Sequence, residues 1–399
     1  MITTAGTVPT IEPNTAGELA AALRRASDAR QSIVISGAGT KMDWGRRPQR
    51  IDAVLSTRRL NRVLAHQHGD LTATVEGGAT LAEVNQTLAQ HGQCLPLDPP
   101  FADRATIGGI LATNDSGPLR HRFGAPRDLV IGVQLATVDG ALAKAGGQVV
   151  KNVAGYDLSK LVCGSFGSLA AIVSATFKLT PLPSASKTIT VDIPDIETLG
   201  RVVREMMSSQ LEPIAFDLNV TAAAQPFRAA VMLRFASLPD VVDAQITQTL
   251  SLPVMSGCKT SVADGDAERH LWDQHARRLW DLPGAIVRAS WLPAEITLVT
   301  ADLEGCATGT NPISTQLIAR AGVGAGLIRV DSDTRTQAAA IEQLRGSKTF
   351  GHVVVVRGSD ELKSLVDVWG PLRDRERLFV SLKRALDPNG VLNAGRGPL

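Results

Sequence analysis

The segment Ala105-Thr-Ile-Gly-Gly-Ile-Leu-Ala-Thr-Asn-Asp-Ser-Gly117 is rich in small residues and contains the glycine pair Gly108-Gly109. Glycine has no Cβ, so backbone N–H groups in such a segment can come close to a ring or a phosphate. Asn114 and Ser116 add side chains that can hydrogen-bond the polar edge of a ligand. The segment therefore predicts a wall against a bulky, flat ligand.

Two other loops lie upstream of this wall. Gly37-Ala-Gly-Thr-Lys41 follows a short predicted strand, Ser32–Ser36. It is not a dinucleotide fingerprint, because Met42 stands where the third glycine should be, and it lacks the Gly-Lys-Ser/Thr ending of a P-loop. A short glycine loop can still bind a pyrophosphate through its N–H groups, although an ordinary tight turn is the alternative. In the second loop, Leu97-Asp-Pro-Pro-Phe101, two prolines fix the backbone that leads into the wall.

Length and composition limit the class of protein. A chain of 399 residues favours two domains. A net charge of +2 gives no nucleic-acid footprint. The four cysteines, Cys94, Cys163, Cys258 and Cys306, form no CxxC motif, so we expect neither an iron–sulfur nor a zinc site, and no other metal, within this chain. Scattered thiols and the lack of a secretory signal predict a cytoplasmic protein, at most peripheral on the inner face of the membrane.

The pattern of elements changes near the middle of the chain. Capping boxes at Thr15/Glu18 and Thr80/Glu83 predict helices, and Ala170–Leu179 reads as a buried strand. Pro181–Ser186 reads as a linker. After it, strands alternate with helices in a pattern typical of an antiparallel α+β domain, and a final amphipathic helix is predicted over Arg373–Leu386.

The motifs taken together resemble a known family. Gly37-Ala-Gly-Thr, Thr106-Ile-Gly-Gly-x-x-Ala-Thr-Asn-x-Ser-Gly117, Gly124-x-x-x-Asp128 and Lys151-x-x-x-Gly-Tyr-Asp-Leu-x-Lys-Leu161 occur in this order. They look like the PCMH-type FAD-binding domain of the vanillyl-alcohol oxidase superfamily, in its glycolate and D-lactate dehydrogenase branch. Lys-Asn-Val-Ala-Gly-Tyr-Asp is most similar to the smaller, FAD-binding E-subunit family of bacterial glycolate oxidase. The ending Leu386-Asp-Pro-Asn-Gly-Val-Leu-Asn-Ala-Gly-Arg396 resembles that branch's chain ending.

This resemblance implies a set of FAD contacts. The pyrophosphate loop would be Gly37, Ala38, Gly39 and Thr40, with Lys41 beside it. Thr106, Gly108, Gly109, Asn114, Ser116 and Gly117 would run past the pyrophosphate and the isoalloxazine, and Pro99 and Asp128 are expected to contribute as well. Gly164, Ser165, Gly167, Ser168 and Ile172 would form a second loop and strand near the ADP half, and Asn393 would return towards the flavin. No histidine or cysteine lies beside the pyrophosphate loop, so the FAD is expected to be non-covalent.

The chain departs from the larger members of the branch at two places. They usually carry Gly-Ser-Glu-Gly-Thr-Leu-Gly in the second loop, where this chain has Gly164-Ser-Phe-Gly-Ser-Leu-Ala170, so Phe166 replaces a carboxylate. The second half also lacks their His-x-Gly-Asp-Gly-Asn-x-His element. Only His270, His275 and His352 occur there, and we expect them to be surface or core histidines.

Candidate catalytic residues follow from the chemistry that flavin oxidation of a 2-hydroxy acid requires. A cation must bind the carboxylate and a base must take the hydroxyl proton. Arg288, in the strand-like run Ile286–Trp291, is the predicted carboxylate clamp, with a structural ion pair as the alternative. His352 is a weaker candidate, and no base is named. His270–Trp280 is basic and aromatic, but Trp272, Ala276, Leu279 and Trp280 have helical spacing and predict a buried stripe rather than a nucleic-acid site.

We therefore predict an α+β flavoprotein with a two-subdomain FAD-binding domain over residues 1–183, completed by 371–399, and a smaller α/β cap over 188–370. The resemblance implies a subunit of a glycolate oxidase complex, with a larger FAD-containing subunit and an iron–sulfur subunit as partners and glycolate or a related small 2-hydroxy acid as substrate. The chain could itself be the dehydrogenase, or it could hold FAD as an electron relay or scaffold. The missing histidine element favours the second hypothesis. A stand-alone D-lactate-type dehydrogenase is a third.

Overall fold

The computed structural model describes residues 8–147, 157–222, 227–307 and 313–397. The chain divides into two compact units. The first unit comprises Met1–Ser116, Gly124–Leu182 and Leu372–Leu399, and the second comprises Gly117–Phe123 and Pro183–Pro371. The position of Gly117–Phe123 in the second unit was not predicted, since these residues fall within the range 1–183 that was expected to form the FAD-binding domain.

The α-helices of the described ranges are numbered in chain order. They are α1 Ala16–Asp28, α2 Leu81–Ala89, α3 Ile107–Thr113, α4 Arg120–Phe123, α5 Pro126–Leu129, α6 Leu158–Val162, α7 Ile196–Ser208, α8 Pro239–Leu250, α9 Gly265–Arg277, α10 Ile296–Ala307, α11 Thr334–Gly346, α12 Asp360–Leu365 and α13 Glu376–Leu386. None of them combines the length and the hydrophobicity that a bilayer-spanning helix needs.

The strands are numbered in the same way. They are β1 Thr10–Ile11, β2 Ile33–Ser36, β3 Ala53–Ser56, β4 Val63–Gln67, β5 Thr72–Glu76, β6 Gln93–Cys94, β7 Val130–Ala136, β8 Leu142–Gly146, β9 Ala171–Lys178, β10 Thr180–Pro181, β11 Ala185–Ile193, β12 Ala215–Ala222, β13 Arg228–Ser237, β14 Lys259–Asp264, β15 Ala285–Ser290, β16 Ser314–Arg320, β17 Ala325–Asp331 and β18 His352–Arg357.

The first unit contains a small parallel sheet of order β1-β3-β2. The helix α1 begins at the predicted cap, where the Thr15 side chain accepts a hydrogen bond from the Glu18 N–H. Its apolar face, with Leu19 and Leu23 fully buried, packs in the same core as Leu392 from the C-terminal segment. Leu392 also bridges to Ile33 of β2, so the end of the chain adjoins this sheet.

A second, antiparallel sheet in the same unit has the order β4-β5-β9-β7-β8. Its central strand β9 is buried at every position except Lys178. Leu88 of α2 and Leu111 of α3 pack against this sheet in one apolar core. The glycine-rich segment of the opening motif is therefore partly helical, which the run of small residues alone did not predict.

The second unit is built on an antiparallel sheet of order β14-β11-β13-β12-β16-β17-β15-β18. Side chains alternate between its two faces. One face carries residues such as Leu218, Val287 and Ile328, and it forms a large apolar core. The opposite face, which we call the polar face, carries Asp217 aligned with Arg320, together with buried apolar residues such as Ile318 and Leu327.

The mixed α and β fold class is confirmed, but some local predictions were wrong. The Pro181–Ser186 segment is not a free linker, since Thr180–Pro181 pairs with β6 and Ala185 begins β11. The final helix begins at Glu376, after a 3₁₀ turn over Arg373–Arg375. The predicted stripe in His270–Trp280 is incomplete because Ala276 is exposed, and His275 is buried instead.

Candidate functional site

A cavity in the first unit gathers segments that are far apart in the sequence. The loop after β2, the start of α3, the turn before β9 and the C-terminal segment all reach it. Its walls are formed by Ile35, Ser36, Gly37, Ala38, Gly39, Thr40, Lys41, Met42, Thr57, Thr106, Gly108, Gly109, Ala112, Thr113, Phe166, Gly167, Ala170, Ile172, Asn393 and Arg396.

Glycines set the shape of this cavity by close packing. A Cβ at Gly37 would overlap the Thr106 hydroxyl. A Cβ at Gly108 would lie 2.9 Å from the carbonyl oxygen of Gly77, which the Gly108 N–H binds at 2.7 Å. The loop after β2 can therefore approach the start of α3 only because Gly37 lacks a side chain, and Gly108 in the same way lets α3 approach the backbone of Gly77. Their bare backbone fits the close approach that a pyrophosphate and a planar ring require.

The C-terminal segment is joined to the cavity by Asn393. Its side-chain Nδ2 donates to the Phe166 carbonyl at 2.6 Å, and its Oδ1 accepts the Ile35 N–H at 3.2 Å. The Phe166 N–H in turn donates to the Ala112 carbonyl at 2.8 Å. Three separate wall segments are thus held together by one buried amide, and Phe166 acts in this arrangement through its backbone.

Two cationic side chains also line the cavity. Lys41 Nζ forms a buried ion pair with Asp115 Oδ2 at 3.1 Å. Arg396 donates from Nε to the Trp44 carbonyl at 3.1 Å and from Nη2 to the Lys41 carbonyl. Burial lowers the pKa of Arg396 to about 10, with Asp43 opposing the shift. The guanidinium therefore stays protonated near neutral pH, and it fits the charge of a diphosphate.

The structure places many of the predicted FAD contacts around this one cavity. They are Gly37, Ala38, Gly39, Thr40, Lys41, Thr106, Gly108, Gly109, Gly167, Ile172 and Asn393. Their side-chain and backbone chemistry fits a flavin dinucleotide, although their individual roles stay predictions.

Other predicted contacts lie outside it. Gly164, Ser165 and Ser168 line a neighbouring cavity with α13 residues. The Asn114 side chain accepts the Arg127 N–H at 3.1 Å, and the Asp128 carboxylate caps α5 through the Ala125 N–H. These two have local structural functions that the motif did not reveal. Pro99, Ser116 and Gly117 do not line the cavity either. Of the Lys151–Leu161 motif, residues 151–156 lie outside the described residues.

Several wall residues were not predicted, including Ser36, Met42, Thr57, Ala112 and Arg396. Arg396 ends the C-terminal motif Leu386–Arg396, so the motif contained a signal for it, although only Asn393 was predicted to contact FAD. Thr57 gave no such signal, because it follows β3 and comes to the cavity only through the pairing of β2 with β3.

Arg288 and His352 lie in the second unit, on the polar face of its sheet. Arg288 of β15 pairs with Val354 of β18, and Ser290 pairs with His352. The two predicted residues are therefore diagonal neighbours on one face. Arg288 is half-buried and His352 is exposed. Arg320, which is buried, belongs to the same face and was not predicted.

A buried polar cluster on this side of the second unit was also missed. His275 Nε2 lies 2.9 Å from Asp217 Oδ2, and both side chains are almost fully buried. Within the described ranges, Asp217 Oδ1 and His121 Nδ1 are buried atoms without a hydrogen-bond partner. The pKa of His121 is lowered by burial, while Asp217 raises it and Arg122 lowers it. The lowered pKa keeps the His121 imidazole neutral at physiological pH, so that it can act as a base.

Comparison with known proteins identifies the cofactor. The FAD binding domain family matches residues 9–146. Glycolate oxidase subunit GlcD of Bacillus subtilis is 31% identical over 207 residues, which are 52% of this chain and 44% of that protein. Glycolate oxidase subunit GlcE of Escherichia coli is 34% identical over 183 residues, which are 46% of this chain and 51% of that protein. The chain spans about half the length of these curated relatives.

One relative matches almost the whole chain, and one solved structure has a similar fold. The mitochondrial D-lactate dehydrogenase [cytochrome] of Arabidopsis thaliana is 25% identical over 420 residues, covering 96% of this chain and 72% of that protein. A solved alkyldihydroxyacetonephosphate synthase is 17% identical with a TM-score of 0.69, covering 96% of this chain and 75% of that one. It shows the shared fold. This chain is thus a flavoprotein with FAD as its cofactor, its residues 9–146 match the FAD binding domain family, and it is similar to proteins named as hydroxy-acid dehydrogenases.

Proposed function

We propose that this chain is an FAD-binding subunit of a glycolate oxidase-type complex, working in the oxidation of glycolate or a related small 2-hydroxy acid. The observation that carries the proposal is the cavity in which Gly37, Thr106, Gly108, Asn393 and Arg396 meet. Similarity to two proteins named as glycolate oxidase subunits supports the substrate class.

The cavity residues would bind the cofactor and keep it in place. Backbone N–H groups of the Gly37–Thr40 loop, with Arg396, would hold the pyrophosphate, and the walls at Gly108 and Gly109 would lie against the flat ring system. FAD supplies the two-electron acceptor for this reaction class. The protein must then bind the substrate carboxylate and remove the proton of its hydroxyl group.

The polar face of the second unit offers residues for both tasks. Arg288 and Arg320 present guanidinium groups on that face, and a guanidinium binds a carboxylate through two parallel hydrogen bonds. His121, buried beside Asp217, is the candidate base, because its lowered pKa keeps the imidazole neutral. The cluster supports a chain that oxidises substrate itself, in addition to holding FAD.

The first test is a visible absorption spectrum of the purified chain, before and after anaerobic addition of glycolate. We expect an oxidised flavin band that glycolate bleaches. A band that bleaches only when the partner subunits are added would assign the chain an electron-relay function. A chain that takes up no FAD, even with excess cofactor, would overturn the proposal.

Paired arginine variants test the carboxylate clamp. Arg288→Gln removes a charged donor, which is worth about 1.5–3 kcal/mol per hydrogen bond, so we expect kcat/KM for glycolate to fall by roughly 10- to 100-fold. Arg278→Gln is the matched control, because Arg278 is exposed. Equal activity of both variants would remove Arg288 from the substrate site.

The proposed partners are a larger FAD-containing subunit and an iron–sulfur subunit, which would receive the electrons. The complex would lie in the cytoplasm, at most peripheral on the inner face of the cytoplasmic membrane. Co-expression of the three chains and purification through a tag on this one tests the assembly. Stoichiometric recovery of both partners is expected, and recovery of this chain alone, with full glycolate activity, would favour the stand-alone dehydrogenase.

A further inference from the structure

Three histidines come together on the surface of the first unit. His66 lies on β4, His68 lies in the turn between β4 and β5, and His91 follows the end of α2. One ring nitrogen from each residue lies within 4.8 Å of the others. The ring centroids of His66 and His68 are 4.2 Å apart, and those of His68 and His91 are 3.7 Å apart. The chain thus brings three imidazoles from separate segments to one point.

Gln93 fixes the chemistry of the first ring. Its Nε2 donates to the His68 carbonyl at 2.9 Å, and a carbonyl can only accept, so its Oε1 must be the atom that faces His66 Nε2 at 2.9 Å. In its neutral form, His66 therefore carries its proton on Nε2, which leaves the lone pair on Nδ1. A metal-binding histidine has this arrangement, in which one ring nitrogen donates to a neighbour and the other binds the ion.

We propose that His66, His68 and His91 form a binding site for a first-row divalent cation of the zinc class. Three neutral imidazoles and no thiolate suit Zn²⁺, Cu²⁺ or Ni²⁺, and they disfavour Mg²⁺ and Ca²⁺, which prefer oxygen ligands. The site departs from our expectation of a chain without metal ligands. That expectation rested on cysteine spacing and on the histidines of the second half. Neither feature predicts that the fold brings His68 and His91 into contact.

The geometry needs only a small adjustment to close around an ion. Nitrogens bound to one tetrahedral Zn²⁺ at about 2.0–2.1 Å lie roughly 3.3–3.4 Å from each other. His68 and His91 are exposed, so their side chains can rotate without disturbing the core. His66 is half-buried and oriented by Gln93. Three ligands leave a fourth position open to water, as in sites that are not purely structural.

A bound ion would tie the β4–β5 turn to the end of α2. These two segments belong to one unit, and Gln93 already links them through its bonds to His66 and the His68 carbonyl. Since the unfolded chain does not hold the three rings together, an ion that binds the folded site stabilises the fold. Thermal stability should therefore rise with Zn²⁺ concentration, independently of any turnover of substrate.

The test uses the purified, FAD-loaded chain after treatment with a chelator. Zn²⁺ is titrated calorimetrically and against a chromogenic competitor, and Co²⁺ is used as a spectroscopic probe of the ligand set. We expect one Zn²⁺ per chain, visible Co²⁺ absorption bands typical of nitrogen ligands, and a rise in Tm with Zn²⁺. An excess of Mg²⁺ should not displace the ion.

Variants separate this site from adventitious binding. His68→Ala and His91→Ala should each abolish stoichiometric uptake, and both residues are exposed, so both variants should fold. Gln93→Leu should weaken Zn²⁺ binding by roughly 10- to 100-fold, because the His66 ring loses its partner. His270→Ala is the control, since His270 is an exposed histidine of the second unit. Uptake by His68→Ala equal to the unmodified chain, or an equal loss in His270→Ala, would overturn the proposal.

Discussion

Asn393 and Phe166, 227 positions apart, are joined by a hydrogen bond of 2.6 Å from the Asn393 amide to the Phe166 carbonyl. Both residues have a left-handed backbone, with φ of 45° and 54°. Conformations of this kind cost energy in residues other than glycine, and they persist where the surroundings hold them. The pair therefore stores local strain at the wall of the FAD cavity, which the buried hydrogen bonds of Asn393 offset.

Two substitutions of Asn393 separate the hydrogen bonds from the strain. Asn393→Ala loses both side-chain hydrogen bonds, one of which joins the Asn393 amide to the buried Phe166 carbonyl, so we expect a loss of about 2–4 kcal/mol in the free energy of unfolding. Asn393→Gly loses the same bonds but tolerates the left-handed backbone, so it should be about 1 kcal/mol more stable than the alanine variant. Urea denaturation measures both.

The same variants should release FAD, because Asn393 holds three segments of the cavity wall. Titration of the apoprotein with FAD, followed by the quenching of flavin fluorescence, should show weaker binding for both. FAD affinity that is unchanged in Asn393→Ala would mean that the C-terminal segment stabilises the fold without shaping the cofactor site.

Gly37→Ala tests the close approach of the loop after β2 to α3. The added methyl group would overlap the Thr106 hydroxyl, so one of the two segments must move. We expect the variant to remain folded but to lose most of its bound FAD, since overpacking costs about 1–3 kcal/mol. The measurement is the ratio of flavin absorbance to protein absorbance after purification.

Gly69→Ala is the matched control for this substitution. It lies in the same unit, and open space surrounds its Cβ position. The control should keep a full complement of FAD. A Gly37→Ala protein with the flavin content of the control would show that the loop does not contact the cofactor closely.

Thiol reactivity gives a prediction that depends on pH. Burial raises the pKa of Cys163 to about 11 and that of Cys306 to about 11, and it also raises the pKa of Cys94 and Cys258. Only the thiolate reacts with a disulfide reagent. At pH 8 Cys163 and Cys306 of the folded chain should therefore react slowly, and their rate should rise about tenfold per pH unit up to pH 10.

Unfolding in guanidinium should expose all four thiols, so that they react faster than in the folded chain. A thiol in the folded chain that reacts at pH 7 as fast as in the unfolded chain would contradict the prediction, and it would mark an activated cysteine with a redox function.

Sequence patterns predicted the local structure of this chain well, because the signals are local. Thr15 and Thr80 cap their helices as expected, and the Thr80–Glu83 capping box forms in full. The glycine motifs similarly predicted much of the cavity wall, since each motif is a short contiguous loop. Asn114 and Asp128 were predicted from the motif to contact FAD, and the motif did not indicate that their side chains also bind neighbouring backbone N–H groups.

What the sequence did not reveal depends on contacts between distant segments. His121 lies in the first third of the chain, yet it belongs to the second unit and faces Asp217. The three histidines of the proposed metal site likewise come together because the turn after β4 lies next to the end of α2. No periodicity or spacing encodes such pairs, because they arise from the topology of the chain.

If His121 is the catalytic base, replacing each of its two charged neighbours, Asp217 and Arg122, should shift the pH profile of activity in opposite directions. A general base must be neutral, so activity should fall with decreasing pH as His121 becomes protonated. Its pKa is lowered by burial, raised by Asp217 and lowered by Arg122. Asp217→Asn should therefore move the acidic limb of the kcat/KM profile for glycolate to lower pH, and Arg122→Gln should move it to higher pH.

His121→Asn should reduce kcat by about 10²–10⁴-fold, with His270→Asn as the control. An acidic limb that does not move in either charge variant would assign the base to another residue and leave His121 as a buried structural histidine.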